Sequence, residues 1–122
     1  MDTIEIKEDC KIIIANKAML NNSDFFDMAM ANVKIVNANL SDLEIEGAQL
    51  GGAYIHNIGM PPKDHPMYDP EARQRPLRFE DCDLNNSTFT NCDLSCVELT
   101  NCNIKGLKIN GNAIEDLINN SR

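Results

Sequence analysis

Three cysteines recur ten residues apart, at Cys82, Cys92 and Cys102. Thiols at even intervals invite a metal reading, but zinc sites usually show tighter paired spacing. Each of these cysteines stands two positions before a large aliphatic residue: Leu84, Leu94 and Ile104. That spacing is one face of an extended chain, on which cysteine acts as a small hydrophobe. The three are therefore expected at inward positions, with no metal. Cys96 fits neither description. A second set of reactive types lies in a proline-rich stretch: His65, Tyr68, Asp69, Arg73 and Arg75. These could form a small polar site, although loops of mixed charge are ordinarily solvated. His56 is expected to face solvent. The sequence has no glycine-rich phosphate loop, nucleophile elbow or metal-binding helix motif. The expectation is a protein that is not an enzyme and carries no cofactor.

The elements that position these residues follow from a repeat. From Leu20, every fifth residue is large and apolar: Leu20, Phe25, Met30, Ile35, Leu40, Ile45, Leu50, Ile55 and Met60. The register breaks and resumes at Phe79, Leu84, Phe89, Leu94, Leu99, Ile104, Ile109 and Ile114. All 17 of these centres are apolar in a chain that is 43% hydrophobic. Chance would give this about once in a million trials. Two residues before each centre lies a mostly small or aliphatic residue, such as Ala38, Val33 or Cys92. Two residues after it lies Asn, Asp or Gly in 15 of 16 cases, with Cys96 the exception.

No α-helix or long strand has a period of five. Asn, Asp and Gly accept a positive φ and mark turns. A turn every five residues leaves about three extended residues per side, with two side chains facing inward. Sides this short bury their apolar face only by coiling and stacking on the next coil, about 4.8 Å away. The period does not fix the number of sides.

Ala38-Asn39-Leu40-Ser41-Asp42, Cys82-Asp83-Leu84-Asn85-Asn86 and Cys92-Asp93-Leu94-Ser95-Cys96 resemble the A(D/N)LXX unit of the pentapeptide-repeat proteins. The resemblance implies an all-β fold, a right-handed quadrilateral parallel β-helix with four units per coil. On that basis the chain makes slightly more than four coils and stands roughly 20 Å tall.

The reading is one domain over 1–122. An N-terminal cap covers 1–17, repeats 18–60, an inserted loop 61–76, further repeats 77–114, and a C-terminal cap 113–122. All five prolines fall within 61–76, and proline has no N–H to give a ladder. Residues 3–14 hold Ile4, Ile6, Ile12, Ile13 and Ile14 without corner residues, which predicts strands closing the first coil. Ile114, Leu117 and Ile118 have helical spacing, and Asn112 with Glu115 resembles a capping box. A short helix near 113–119 is expected over the last coil, or an apolar patch there that pairs two chains.

The net charge of −8 disfavours nucleic acid and anionic membranes as direct partners. The start of the chain lacks a basic stretch followed by an apolar one. The odd number of cysteines, five, shows no framework spacing, so a cytoplasmic protein with reduced thiols is expected. If the insertion keeps the phase, residues twenty apart share a face. One side and its corner then collect Asp24, Asp27, Glu44, Glu46, Glu80, Asp81 and Glu98, opposed only by Arg78. The side two removed carries Lys34 and Lys108. Such a stripe either keeps the protein soluble or meets a basic partner.

The function expected is a scaffold or protein-binding module, with the stripe and the loop as contact surfaces. The resemblance adds an alternative. Some acidic pentapeptide-repeat proteins mimic B-DNA and bind DNA gyrase, giving quinolone resistance. Seven charges along roughly 20 Å are about half the density of duplex DNA. Those mimics are longer, dimeric rods, so this chain would need to pair through its C-terminal cap.

Overall fold

The computed structural model describes residues 2–120, which divide into two units between Tyr54 and Ile55. The corners are where the sequence places them. Asn22, Asp27, Asn32, Asn37, Asp42, Gly47, Gly52 and Asn57 have positive φ in the first run of repeats. Asp81, Asn86, Asn91, Cys96, Asn101, Gly106 and Gly111 do so in the second. Fifteen of the sixteen corner positions are thus left-handed. The sixteenth, Asp116, lies in a helix. Lys17, with φ 53°, adds a corner one unit earlier.

The corners alternate in kind. Turns closed by a hydrogen bond follow every second centre. Leu43 N–H donates to Leu40 O (3.2 Å), and Ala53 N–H donates to Leu50 O (2.8 Å). Ser87, Val97 and Leu107 N–H donate in the same way to Leu84, Leu94 and Ile104 O. Each of these turns has its positive φ only at the third position, the sign pattern of a type II turn. Between them the chain makes open bends, at Asp27, Asn37, Gly47, Asn57, Asp81, Asn91 and Asn101.

The apolar centres differ from expectation. A stacked core is expected, yet no described residue is buried. Leu84 is 45% exposed and Leu94 52%, against 83% for the outward Phe26. The centres are sheltered relative to outward apolar residues, but coils do not close on them. Among the described residues the only strand pairing is a hairpin at the C-terminal end. The physical reason is one of range. A corner is set by three or four neighbouring residues, whereas a ladder between coils needs partners a full coil away. A three-residue side makes few such bonds, so it holds nothing until the next coil is in place.

The expected N-terminal strands are absent. Residues 3–14 form no strand, and Ile4, Ile12 and Ile14 are almost fully exposed. Instead the segment carries ion pairs two residues apart, Glu5–Lys7 at 2.8 Å and Asp9–Lys11 at 3.0 Å. Lys11, then the Cys10 N–H, holds the Asp9 carboxyl below the usual range. Exposed pairs of this kind contribute little to stability.

The C-terminal end is the best-packed region. Strands β1 (Lys108–Ile109) and β2 (Asn112–Ala113) pair antiparallel, with Lys108 opposite Ala113 and Ile109 opposite Asn112. Their loop is Asn110-Gly111, with φ 49° and 79°, a type I′ hairpin whose two positive φ values suit Asn-Gly. Helix α1 (Ile114–Asn120) follows, close to the expected span. The last residues of the expected cap, 121 and 122, lie outside the described residues. Glu115 does not close a capping box. Its Oε1 instead accepts from Gly106 N–H (3.1 Å), and Ile114 N–H donates to Leu107 O (3.0 Å). Ile104, Leu107, Ala113 and Ile114 are half-buried as a result.

Candidate interaction surface

The A(D/N)LXX signature has a local explanation. The Asn or Asp before a centre accepts the N–H two residues on: Asn39 from Ser41 (3.1 Å), Asp83 from Asn85 (3.0 Å), Asp93 from Ser95 (2.9 Å) and Asn103 from Lys105 (3.0 Å). Each donor is the second residue of a closed turn, so the short side chain supports the corner it precedes. In the Leu50 unit this position is Gln49.

The cysteines take the complementary place. Cys82, Cys92 and Cys102 Sγ donate to the carbonyls of Glu80 (3.3 Å), Thr90 (3.4 Å) and Thr100 (3.4 Å). Each thiol thereby spans an open bend, at Asp81, Asn91 or Asn101. The inward-core reading of these cysteines is corrected to this extent: all three are exposed. Their small size still matters, since the sulfur must reach back two residues. Cys96 is a left-handed corner with φ 62°, which its side chain tolerates poorly. Among the described residues no group of three or more His, Cys, Asp or Glu is placed to hold a metal.

Ser95 donates both its hydroxyl (2.5 Å) and its N–H to Asp93 Oδ1. These two bonds, the hydroxyl first, hold the Asp93 carboxyl below its ordinary range. Folding that forms them lowers the pKa of this carboxyl, so their contribution is complete above the ordinary carboxylate range. It is lost as pH falls through the depressed value. We expect the Asp93 carboxyl carbon to titrate late in an acid NMR series. Ser95→Ala will move its midpoint back up. An unchanged midpoint in that variant would rule out the hydroxyl as the cause.

The loop residues are used locally. His65 N–H donates to Pro62 O, Tyr68 N–H to His65 O, and Ala72 N–H to Asp69 O, making three successive turns. His65 Nδ1 accepts from Met67 N–H (3.0 Å) and Asp69 Oδ1 from Glu71 N–H (2.9 Å). Arg73 donates to the Pro70 and Ala72 carbonyls (2.9 and 3.0 Å). Tyr68 and Arg75 are exposed beside these turns. The stretch is thus a run of turns, with His65 and Arg73 committed to its backbone.

The seven acidic residues are all exposed. Asp24, Asp27, Glu44 and Glu46 belong to the first unit; Glu80, Asp81 and Glu98 belong to the second. Arg78 pairs with Glu80 at 3.4 Å, with both side chains well exposed. Within the first unit, Asp24 and Asp27 share a concavity with Glu5 and Glu8. A second concavity joins Met30, Val33 and Ile35 to Leu50, Ala53 and Tyr54. In both, the facing segments are about twenty residues apart, the length of four units.

Comparison with known proteins agrees with this repeat. Residues 78–110 match the family model for pentapeptide repeats, in eight copies. That segment is a pentapeptide-repeat array. No curated protein and no solved structure matches the chain. No helix among the described residues is long and apolar enough to cross a membrane.

Proposed function

We propose that this chain is a non-enzymatic scaffold or protein-binding module whose repeats close into a right-handed square β-helix. The observation that carries this reading is the set of fifteen left-handed corners in five-residue phase. Segments facing each other about twenty residues apart support four sides per coil. The energetics point the same way. Burying one Leu, Ile or Phe centre contributes about 1.5–3 kcal/mol, and a chain with most of its centres about half in water leaves that gain unrealised. Large apolar side chains exposed in such number demand cover. Stacking the coils supplies it from within the chain.

A closed coil presents flat, repeating faces, and repeat proteins use such faces to hold partners. The exposed carboxylates favour a basic protein. Five free thiols support a reducing compartment, with the cytoplasm as the simplest one. A pull-down comparing the wild-type chain with one whose residues 61–76 are replaced by two corner residues tests the module. We expect a protein partner whose retention weakens with salt. Inhibition of gyrase supercoiling by the purified chain would make a topoisomerase that partner. Strong, selective stabilisation by a small metabolite instead would overturn the non-enzymatic reading.

A further inference from the structure

We infer that Asn110 is a spontaneous modification site, and that its conversion to isoaspartate releases the C-terminal cap. Asn110-Gly111 is the one Asn-Gly pair in the sequence. It forms the exposed two-residue loop between β1 and β2. Glycine carries no side chain to hinder its own nitrogen, so this pair is the best placed for ring closure. The Gly111 nitrogen attacks Asn110 Cγ, and a new N–Cγ bond forms. The Cγ–Nδ2 bond breaks and ammonia leaves, carrying the proton lost by the Gly111 amide. Water then opens the succinimide at either carbonyl, giving aspartate or isoaspartate. No oxidant or reductant is needed.

The left-handed conformation of Asn110, with φ 49°, holds the loop away from ring closure. The hairpin has only two residue pairs, however, and two-stranded hairpins are marginal in water. Each opening exposes the pair to reaction. Isoaspartate inserts a methylene into the backbone and adds a negative charge, and a type I′ loop cannot accommodate the longer chain. The Ile114–Leu107 and Glu115–Gly106 hydrogen bonds depend on this hairpin to bring α1 back. The site therefore couples the age of the chain to the state of its best-packed end.

The test is a time course of the intact chain at mildly alkaline pH and body temperature, read by peptide mass and enzymatic isoaspartate methylation. An Asn110→Gly variant runs beside it, since Gly-Gly suits the same loop and has no amide to lose. Conversion at Asn110 should outpace that at Asn22 and Asn86, which precede serine. Amide protection at Ile114 and Gly106 should fall in step in the wild type and persist in the variant. Faster conversion at Asn22 or Asn86 would overturn the site assignment. Isoaspartate at position 110 with undiminished Ile114 protection would overturn the coupling.

Discussion

In the closed tube proposed above, Leu84→Ala destabilises the protein by about 2–5 kcal/mol, the range for removing a core leucine. Small domains hold only about 5–15 kcal/mol in total, so the variant will unfold at a much lower urea concentration. Thr90→Ala, one residue after a centre and on the outward face, will stay within about 0.5 kcal/mol of wild type. The contrast discriminates between a closed tube and an open spring. In a spring that leaves Leu84 45% exposed, truncation forfeits only part of the transfer energy and leaves no cavity. Equal, small effects at Leu84 and Thr90 would therefore count against closure.

Gly106→Val will be the most damaging corner substitution. Gly106 has φ 75°, and a side chain in the left-handed region costs about 1–2 kcal/mol, more when β-branched. A Cβ there would meet nothing within 4 Å, so the cost is backbone strain and not a clash. The Gly106 N–H also binds Glu115, so a distorted corner loosens α1 as well. Cys96→Gly should act in the opposite direction. It removes the side chain from a corner at φ 62° and raises stability by up to about 1 kcal/mol, after glycine's extra chain entropy is offset. Urea midpoints of the two variants check both signs. A neutral Gly106→Val would mean that this corner is not held in the folded state.

The corners were legible because their cause is local. Asn86, Asp42 and Gly52 each announce a positive φ by residue type, and the structure has one at each. Lys17 was missed because lysine carries no such signal, although its φ of 53° keeps the phase. Asn110-Gly111 carried a hairpin signal that the five-residue register concealed. Gly111 satisfies both readings, being a corner by count and the second loop residue in fact. Glu115 was paired with Asn112 by spacing, yet it binds Gly106, since a hairpin between them brings the distant N–H closer. The alternation of closed turns and open bends is written in Asp83, Asp93 and Asn103 against Cys82, Cys92 and Cys102. Its meaning appears only with the hydrogen bonds that these side chains make. Contacts between residues a coil apart are least legible, because no short stretch of sequence encodes them. The acidic stripe from Asp24 to Glu98 depends on that same long-range register.

Nuclear Overhauser contacts between Leu84 and Ile104, one coil apart, test closure of the repeat most directly. A stacked β-helix places their backbones about 4.8 Å from each other, and strong cross-peaks linking residues twenty apart should recur along 79–109. Only contacts within each turn, with amide exchange at the rate of an open chain, would contradict it.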